Sequence, residues 1–236
     1  MTEPGCIRNL IFHAYPRDNE MLGINLEYLA KYIHLFNGAK VINIVRGTGL
    51  LSPDEFISLL ESKQISTDKI IFTLSENSPL GETEPFIEKL LPAVRSLERN
   101  QITFYCHTKG VSKSTFDIPR IWAKLMWEHN LEDIDNVDRV LRQYPCCGVL
   151  KKGPGTIQDL KVPWHFSGTF FWFKNYQLFS KDWHQIDNHR CGVEAYLAKY
   201  FPSESAHCLK YELKPKHGDT RRLMTWKSIL QDEDYR

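Results

Sequence analysis

The six cysteines include no Cys-x-x-Cys pair, and no apolar run approaches the ~18 residues that a membrane-spanning helix needs. Nor is there an excess of one charge. Thirty Lys and Arg stand against 29 Asp and Glu, for a net +1, without the basic stripe of a general nucleic-acid binder. Repeats, low-complexity tracts and linkers long enough to divide domains are all missing, so the 236 residues read as one unit, large enough for a sizeable core. The start, Met1 to Arg8, is polar and lacks the apolar stretch of a secretory leader. Cys6, Cys106, Cys146, Cys147, Cys191 and Cys208 are therefore expected as scattered, reduced, mostly buried thiols in a cytoplasmic protein with no transmembrane segment.

What is present is an alternation of short apolar runs and helical patterns. Asn9 to His13, Val41 to Val45, Lys69 to Leu74 and Ile102 to Cys106 read as strands. Between them lie helical patterns over Ile24 to Phe36, from Ser52-Pro53-Asp54-Glu55 onward, and from Thr83 to near Arg99. Asn37-Gly38 looks like a left-handed helix stop. A β-α-β-α-β-α-β order with helices of this length implies right-handed crossovers, hence an α/β fold with a mostly parallel central sheet flanked by helices. Helices over Pro119 to Asn130 and Asp133 to Tyr144 follow. Then come a Lys/Gly/Pro-rich loop at Lys151 to Gly155, a strand at Phe166 to Phe173, a short helix at Val193 to Phe201 and a polar tail.

In an open parallel sheet, ligands bind beyond the carboxyl ends of the strands. Three polar loops are expected there: Tyr15 to Asn19, Glu76 to Thr83 and His107 to Lys113. Arg17, Lys109 and Lys113 would supply charge, and backbone amides near Gly81 and Gly110 would supply donors, a combination suited to an anionic ligand. His107-Thr-Lys-Gly110 is the sharpest of these, with a histidine able to donate a hydrogen bond or bind a metal. In Trp164 to Trp172, the Ser167-Gly168-Thr169 step and Trp172 are candidates to hold a sugar ring, and equally a buried core strand. Glu194, after Gly192-Val193, is either an acid complementing a helix dipole or a general base. A metal site built from His13, His107 and His165 is a further alternative. The Asp-x-Asp pairs at Asp133 to Asp135 and Asp232 to Asp234 follow no strand and read as surface charge.

Several stretches, in order along most of the chain, carry a family likeness. They are Phe12-His-Ala-Tyr-Pro16, Phe36-Asn-Gly38, Leu80-Gly-Glu82, Phe104-Tyr-Cys-His-Thr-Lys-Gly-Val111, Ser167-Gly-Thr-Phe-Phe-Trp172 and Gly192-Val-Glu194. Through them the sequence resembles a bacterial and viral family of glycosyltransferase-like proteins akin to rhamnan-synthesis domains, and its order parallels the GT-A transferases. The resemblance implies a nucleotide-binding half over residues 1–113, an acceptor half over 114–213 and a C-terminal tail over 214–236. It implies a nucleotide-sugar donor held by Tyr15, Arg17, Asn77, Gly81, His107, Lys109 and Gly110. A glycan or other hydroxyl acceptor would lie near Ser167, Gly168, Thr169 and Trp172, with Glu194 as catalytic base of an inverting transfer. GT-A enzymes place a metal-binding Asp-x-Asp after the fourth strand, where this chain has His107 and Lys109. A divalent metal, Mn or Mg, thus stays an open expectation, and so does a catalytically silent nucleotide-sugar or glycan-binding module.

Overall fold

The computed structural model describes residues 5–112 and 117–212. One sheet holds seven strands: β1 (Ile7–Ala14), β2 (Lys40–Arg46), β3 (Ile70–Glu76), β4 (Gln101–His107), β5 (Cys146–Val149), β6 (Phe171–Lys174) and β7 (Ala206–Lys210). Their order is β7-β5-β6-β4-β1-β2-β3. The run β4-β1-β2-β3 is parallel throughout, β7 is parallel to β5, and β6 alone is antiparallel to both its neighbours. The chain is an α/β protein whose mostly parallel central sheet is flanked by helices.

Side chains alternate across a strand, and that alternation sorts the core into two layers. Leu10, Phe12, Ala14, Ile42, Ile44 and Phe104 face one side. There they meet Leu22, Leu26 and Leu29 of α1 (Glu20–Tyr32), Phe56 and Leu60 of α2 (Pro53–Ser62), and Leu125 and Trp127 of α3 (Asp117–Leu131). Ile11, Val41, Tyr105, Phe171 and Phe173 face the other side, against Phe86, Leu90 and Leu91 of the helical segment 83–93 and Tyr196 of the short helix Gly192–Tyr196. Each such side chain contributes about 1.5–3 kcal/mol by leaving water.

Local chemistry fixes the helix starts. Asn19 caps α1 by accepting from the Leu22 N–H, so this helix begins four residues before the expected Ile24. Ser52 and Glu55 form the full capping box of α2, with Pro53 in its first turn, as the sequence suggests. In the segment 83–93 the ladder widens to a π turn at Phe86–Leu90 just before Pro92, which has no N–H to donate. It stops there, short of Arg99. Gly38 is not the left-handed stop that Asn37-Gly38 suggests. A Cβ there would lie 2.2 Å from the Asn9 Oδ1 and 2.8 Å from the Ile7 Cγ2, so the glycine serves close packing against β1.

The expected strand over Phe166 to Phe173 is two strands. His165–Phe166 pairs with Lys151–Lys152 in a separate ladder, and the chain turns at Gly168 and Thr169, with φ of +104° and +63°, before entering β6. At Gly168 a Cβ would approach the Met126 Sδ to 2.8 Å and the Trp122 Nε1 to 3.0 Å, so glycine answers both the φ and the closeness of α3. Asp133 caps the helix Ile134–Gln143, and with Asp135 it is exposed. Lys113 and the Asp232 to Asp234 pair lie outside the described residues.

Candidate functional site

β1 has β2 on one side and β4 on the other, so the strand order reverses at β1. A crevice opens at the carboxyl ends of strands on either side of such a switch point. It is built here from two tied loops. The Thr108 N–H donates to the His13 carbonyl (3.1 Å), and the Tyr15 N–H donates to the Thr108 hydroxyl (2.9 Å). A cleft of about 870 Å³ lies above them, within the size range of small-molecule sites.

Of the expected donor residues, Tyr15, Asn77, Gly81, His107, Lys109 and Gly110 line this cleft. Arg17 does not: it is exposed and absent from the cleft lining. The Gly81 amide is not the free donor expected, because it closes a turn on the Ser78 carbonyl (2.9 Å). Of the expected acceptor residues only Thr169 lines the cleft. Ser167 and Gly168 are buried beneath it, and Trp172 is fully buried, its indole N–H donating to the Asn130 carbonyl (3.1 Å). Residue 172 lies four places past the turn, where strand alternation points it into the α1–α3 layer beside Phe36 and Phe104. It cannot touch an acceptor. The tryptophan that does line the cleft is Trp122 of α3.

Lys109 is held by its backbone. Buried Asn25 accepts from its N–H (3.0 Å) and donates to its carbonyl (2.9 Å), while also accepting from the Trp127 indole (3.1 Å). The Lys109 ammonium sits 3.8 Å from the centre of the Trp122 ring and 3.4 Å from the Gly168 carbonyl. The N–H of Gly168 in turn donates to the Glu194 carboxylate (3.1 Å). Glu194 therefore reaches across to another segment and does not cap its own helix. Burial pushes its carboxyl above the usual range, partly offset by Lys109 and the Gly168 N–H and reinforced by Glu82. Asp187, by contrast, is paired with Lys199 (2.6 Å) and does not line the cleft.

Glu82, Arg190 and Gln158 also line the cleft, and reasoning from sequence did not single them out. The Glu82 carboxylate accepts from the Tyr105 hydroxyl (2.7 Å) and from the His107 Nδ1 (2.6 Å). Burial alone would raise its pKa, but His107, His13 and Tyr105 together outweigh burial and hold it down to about 2. The His107 Nε2 is buried with no hydrogen-bond partner among the described residues. His13, in register with His107 on β4 and Asn43 on β2, is lowered to about 4, chiefly by burial. Its Nδ1 lies 3.3 Å from the Asn43 amide. Gln158 sits at the tip of the hairpin Gly155–Ile157/Leu160–Val162, where it and Asp159 both adopt positive φ. A signal for Glu82 was available in Leu80-Gly-Glu82 itself, and one for Arg190 in its place four residues before Glu194.

A divalent metal needs several oxygen or imidazole ligands converging on one point. No group of three His, Cys, Asp or Glu that could hold one occurs among the described residues. That includes His13, His107 and His165, of which the last is buried and does not line the cleft. The six thiols are free, and no helix among the described residues is long and apolar enough to cross a membrane.

No family model and no curated protein matches the chain. Among solved structures it is similar to the crystal structure of 4-diphosphocytidyl-2C-methyl-D-erythritol synthase, at 10% identity over 95% of this chain and 99% of the other, with a TM-score of 0.39. A likeness this loose carries no argument about activity, which rests on the cleft alone.

Proposed function

We propose that the protein transfers a sugar from a nucleotide-sugar donor to a hydroxyl of a glycan or similar acceptor, with inversion. The observation that carries this reading is Glu194, a carboxyl made proton-seeking by burial and bound to the N–H of Gly168, the residue whose carbonyl receives the Lys109 ammonium. An acid and a cation set that close serve the two ends of one displacement. The acceptor oxygen attacks the anomeric carbon and gives its proton to Glu194 as the bond to the phosphate oxygen breaks, and the diphosphate leaves toward Lys109. A single base on the acceptor side suffices for an inverting step. Tyr15 and Asn77, whose hydroxyl and amide approach to 3.5 Å after β1 and β3, would hold the nucleoside end.

The test is a panel of nucleotide sugars, with and without glycan acceptors, read by mass spectrometry and by NMR of the product anomer. Transfer with inversion is the expected result. Nucleotide-sugar binding without turnover would convert the reading to a silent binding module, and absence of both would end it.

A further inference from the structure

The cleft's charges suggest how a leaving diphosphate would be neutralised. Two acids line it, Glu82 and Glu194, with the cations Lys109 and Arg190 and the imidazole of His107. Glu82 is committed: one of its oxygens takes both the Tyr105 hydroxyl and the His107 Nδ1. That leaves at most its other oxygen as a single monodentate ligand, since chelation through both oxygens would break the pair. Glu194 is bound to the Gly168 N–H and is a poor anion where it lies. These residues do not fit a divalent metal.

They do fit a diphosphate. Lys109 is immobilised by Asn25 at its backbone, and Trp122 and Gly168 flank its ammonium. Arg190 comes in from the loop before Gly192, its Cγ 3.6 Å from where a Cβ on Gly81 would stand, and it enters no ion pair among the described residues. That Arg190, Lys109, Glu82 and Glu194 converge is visible at Cys191. Burial raises this thiol to about 11, and it feels both acids and both cations. His107 adds a third group, its Nε2 buried without a hydrogen-bond partner among the described residues and its ring oriented from behind by Glu82.

We infer that Arg190 and Lys109, aided by the Glu82-oriented His107, take the place of a divalent metal in holding the donor's diphosphate, so that donor binding is metal-independent. This rests on the nucleotide-sugar reading above. It adds Arg190 as a binding residue and Glu82 as a positioning residue. An arginine fork suits two phosphate oxygens at once, and a lysine serves as a point charge beside it.

The experiment is isothermal titration of the whole chain with uridine, guanosine, cytidine, adenosine and thymidine diphosphates, in EDTA and then in excess Mn²⁺ or Mg²⁺. At least one should bind equally well in EDTA. Arg190→Ala, exposed and leaving no cavity, should weaken that binding by roughly 10- to 150-fold at an unchanged melting temperature, the range for losing hydrogen bonds to a charged group. Arg190→Lys should recover part of it. Binding that appears only with Mn²⁺ or Mg²⁺ would overturn the inference and leave the nucleotide-sugar reading standing. Binding in EDTA that ignores Arg190→Ala would remove Arg190 and overturn the assignment. If no nucleoside diphosphate binds with or without metal, both readings fall.

Discussion

Glu82 and Glu194 line the same cleft and are pushed in opposite directions. Glu82 lies among donors, with an imidazole, a phenol and a second histidine close by, and these overcome its burial. Glu194 is comparably buried but has one backbone N–H bond, with Lys109 and Lys152 acting through space against Glu82 and the His165 Nε2 no nearer than 3.8 Å, and burial wins. The difference is not residue type but the closeness of the donors: Glu82 takes two short side-chain hydrogen bonds, at 2.7 and 2.6 Å, where Glu194 takes one backbone N–H at 3.1 Å. Two carboxyls whose environments separate their pKa values in this way divide the labour. The low one is a fixed counter-ion and the high one is free to take a proton.

The largest effect should come from removing the proton-seeking member. Glu194→Gln should lower turnover by about 10²–10⁴-fold while donor affinity and melting temperature hardly move, because the amide oxygen still accepts from Gly168. Normal turnover in that variant would return Glu194 to a structural role.

Glu82→Gln should act on stability instead. The folded pKa of Glu82 lies below its ordinary value of 4.5, so its contribution is present above about 4.5 and is lost as pH falls toward about 2. That contribution is on the order of 3 kcal/mol, at 1.36 kcal/mol per unit. Urea denaturation across that window should slope for the parent and be flat for Glu82→Gln. A companion series tests His13, whose folded pKa of about 4 lies below its ordinary 6.5. Stability should fall as pH drops from 6.5 toward about 4, and His13→Asn should make that slope shallower, leaving the part from His207, which burial also lowers. Equal slopes in parent and variant would break the comparison.

Two smaller effects sharpen it. Lys109→Ala should cost about 1.5–3 kcal/mol in nucleoside diphosphate affinity, with little loss of stability. Arg17→Ala should change affinity by no more than about 0.5 kcal/mol, as an exposed side chain outside the cleft. A large loss with Arg17→Ala would mean that the donor extends well beyond the cleft.

Much of this was legible in the sequence, and the failures have physical causes. The strands β1 to β4 announce themselves because each is an apolar run ending in a polar loop, and those loops fall at one sheet edge by topology alone. β5 and β7 do not, since Cys146-Cys-Gly-Val149 and Ala206-His-Cys-Leu-Lys210 lack a β-branched run and are strands by virtue of their neighbours. Trp172 alternates with Phe171 and Phe173 as a strand requires, but helices cover both faces of β6, so the face opposite the two phenylalanines is core as well, and a strand's own pattern does not show that second layer. Asn25 sat unnoticed inside an amphipathic helix, since periodicity does not show that a polar residue on the buried face holds another segment's backbone. Glu82 shares that difficulty: its partners Tyr105 and His107 are 23 and 25 residues distant.

The reversed direction of β6 has one more consequence. β5 and β6 are antiparallel neighbours, with Phe171 opposite Gly148, so residues 150–170 leave and re-enter the sheet at the same edge. Lys151, Trp164 and Phe166 tie the base of this stretch into the core, and only the mostly exposed hairpin Gly155–Ile157/Leu160–Val162 overhangs. Its length is uncoupled from the rest of the sheet. Doubling such a loop costs only about 0.6 kcal/mol of closure entropy. The chain can therefore reshape the roof over its cleft by insertion or deletion, while the floor laid by β1 and β4 stays where it is.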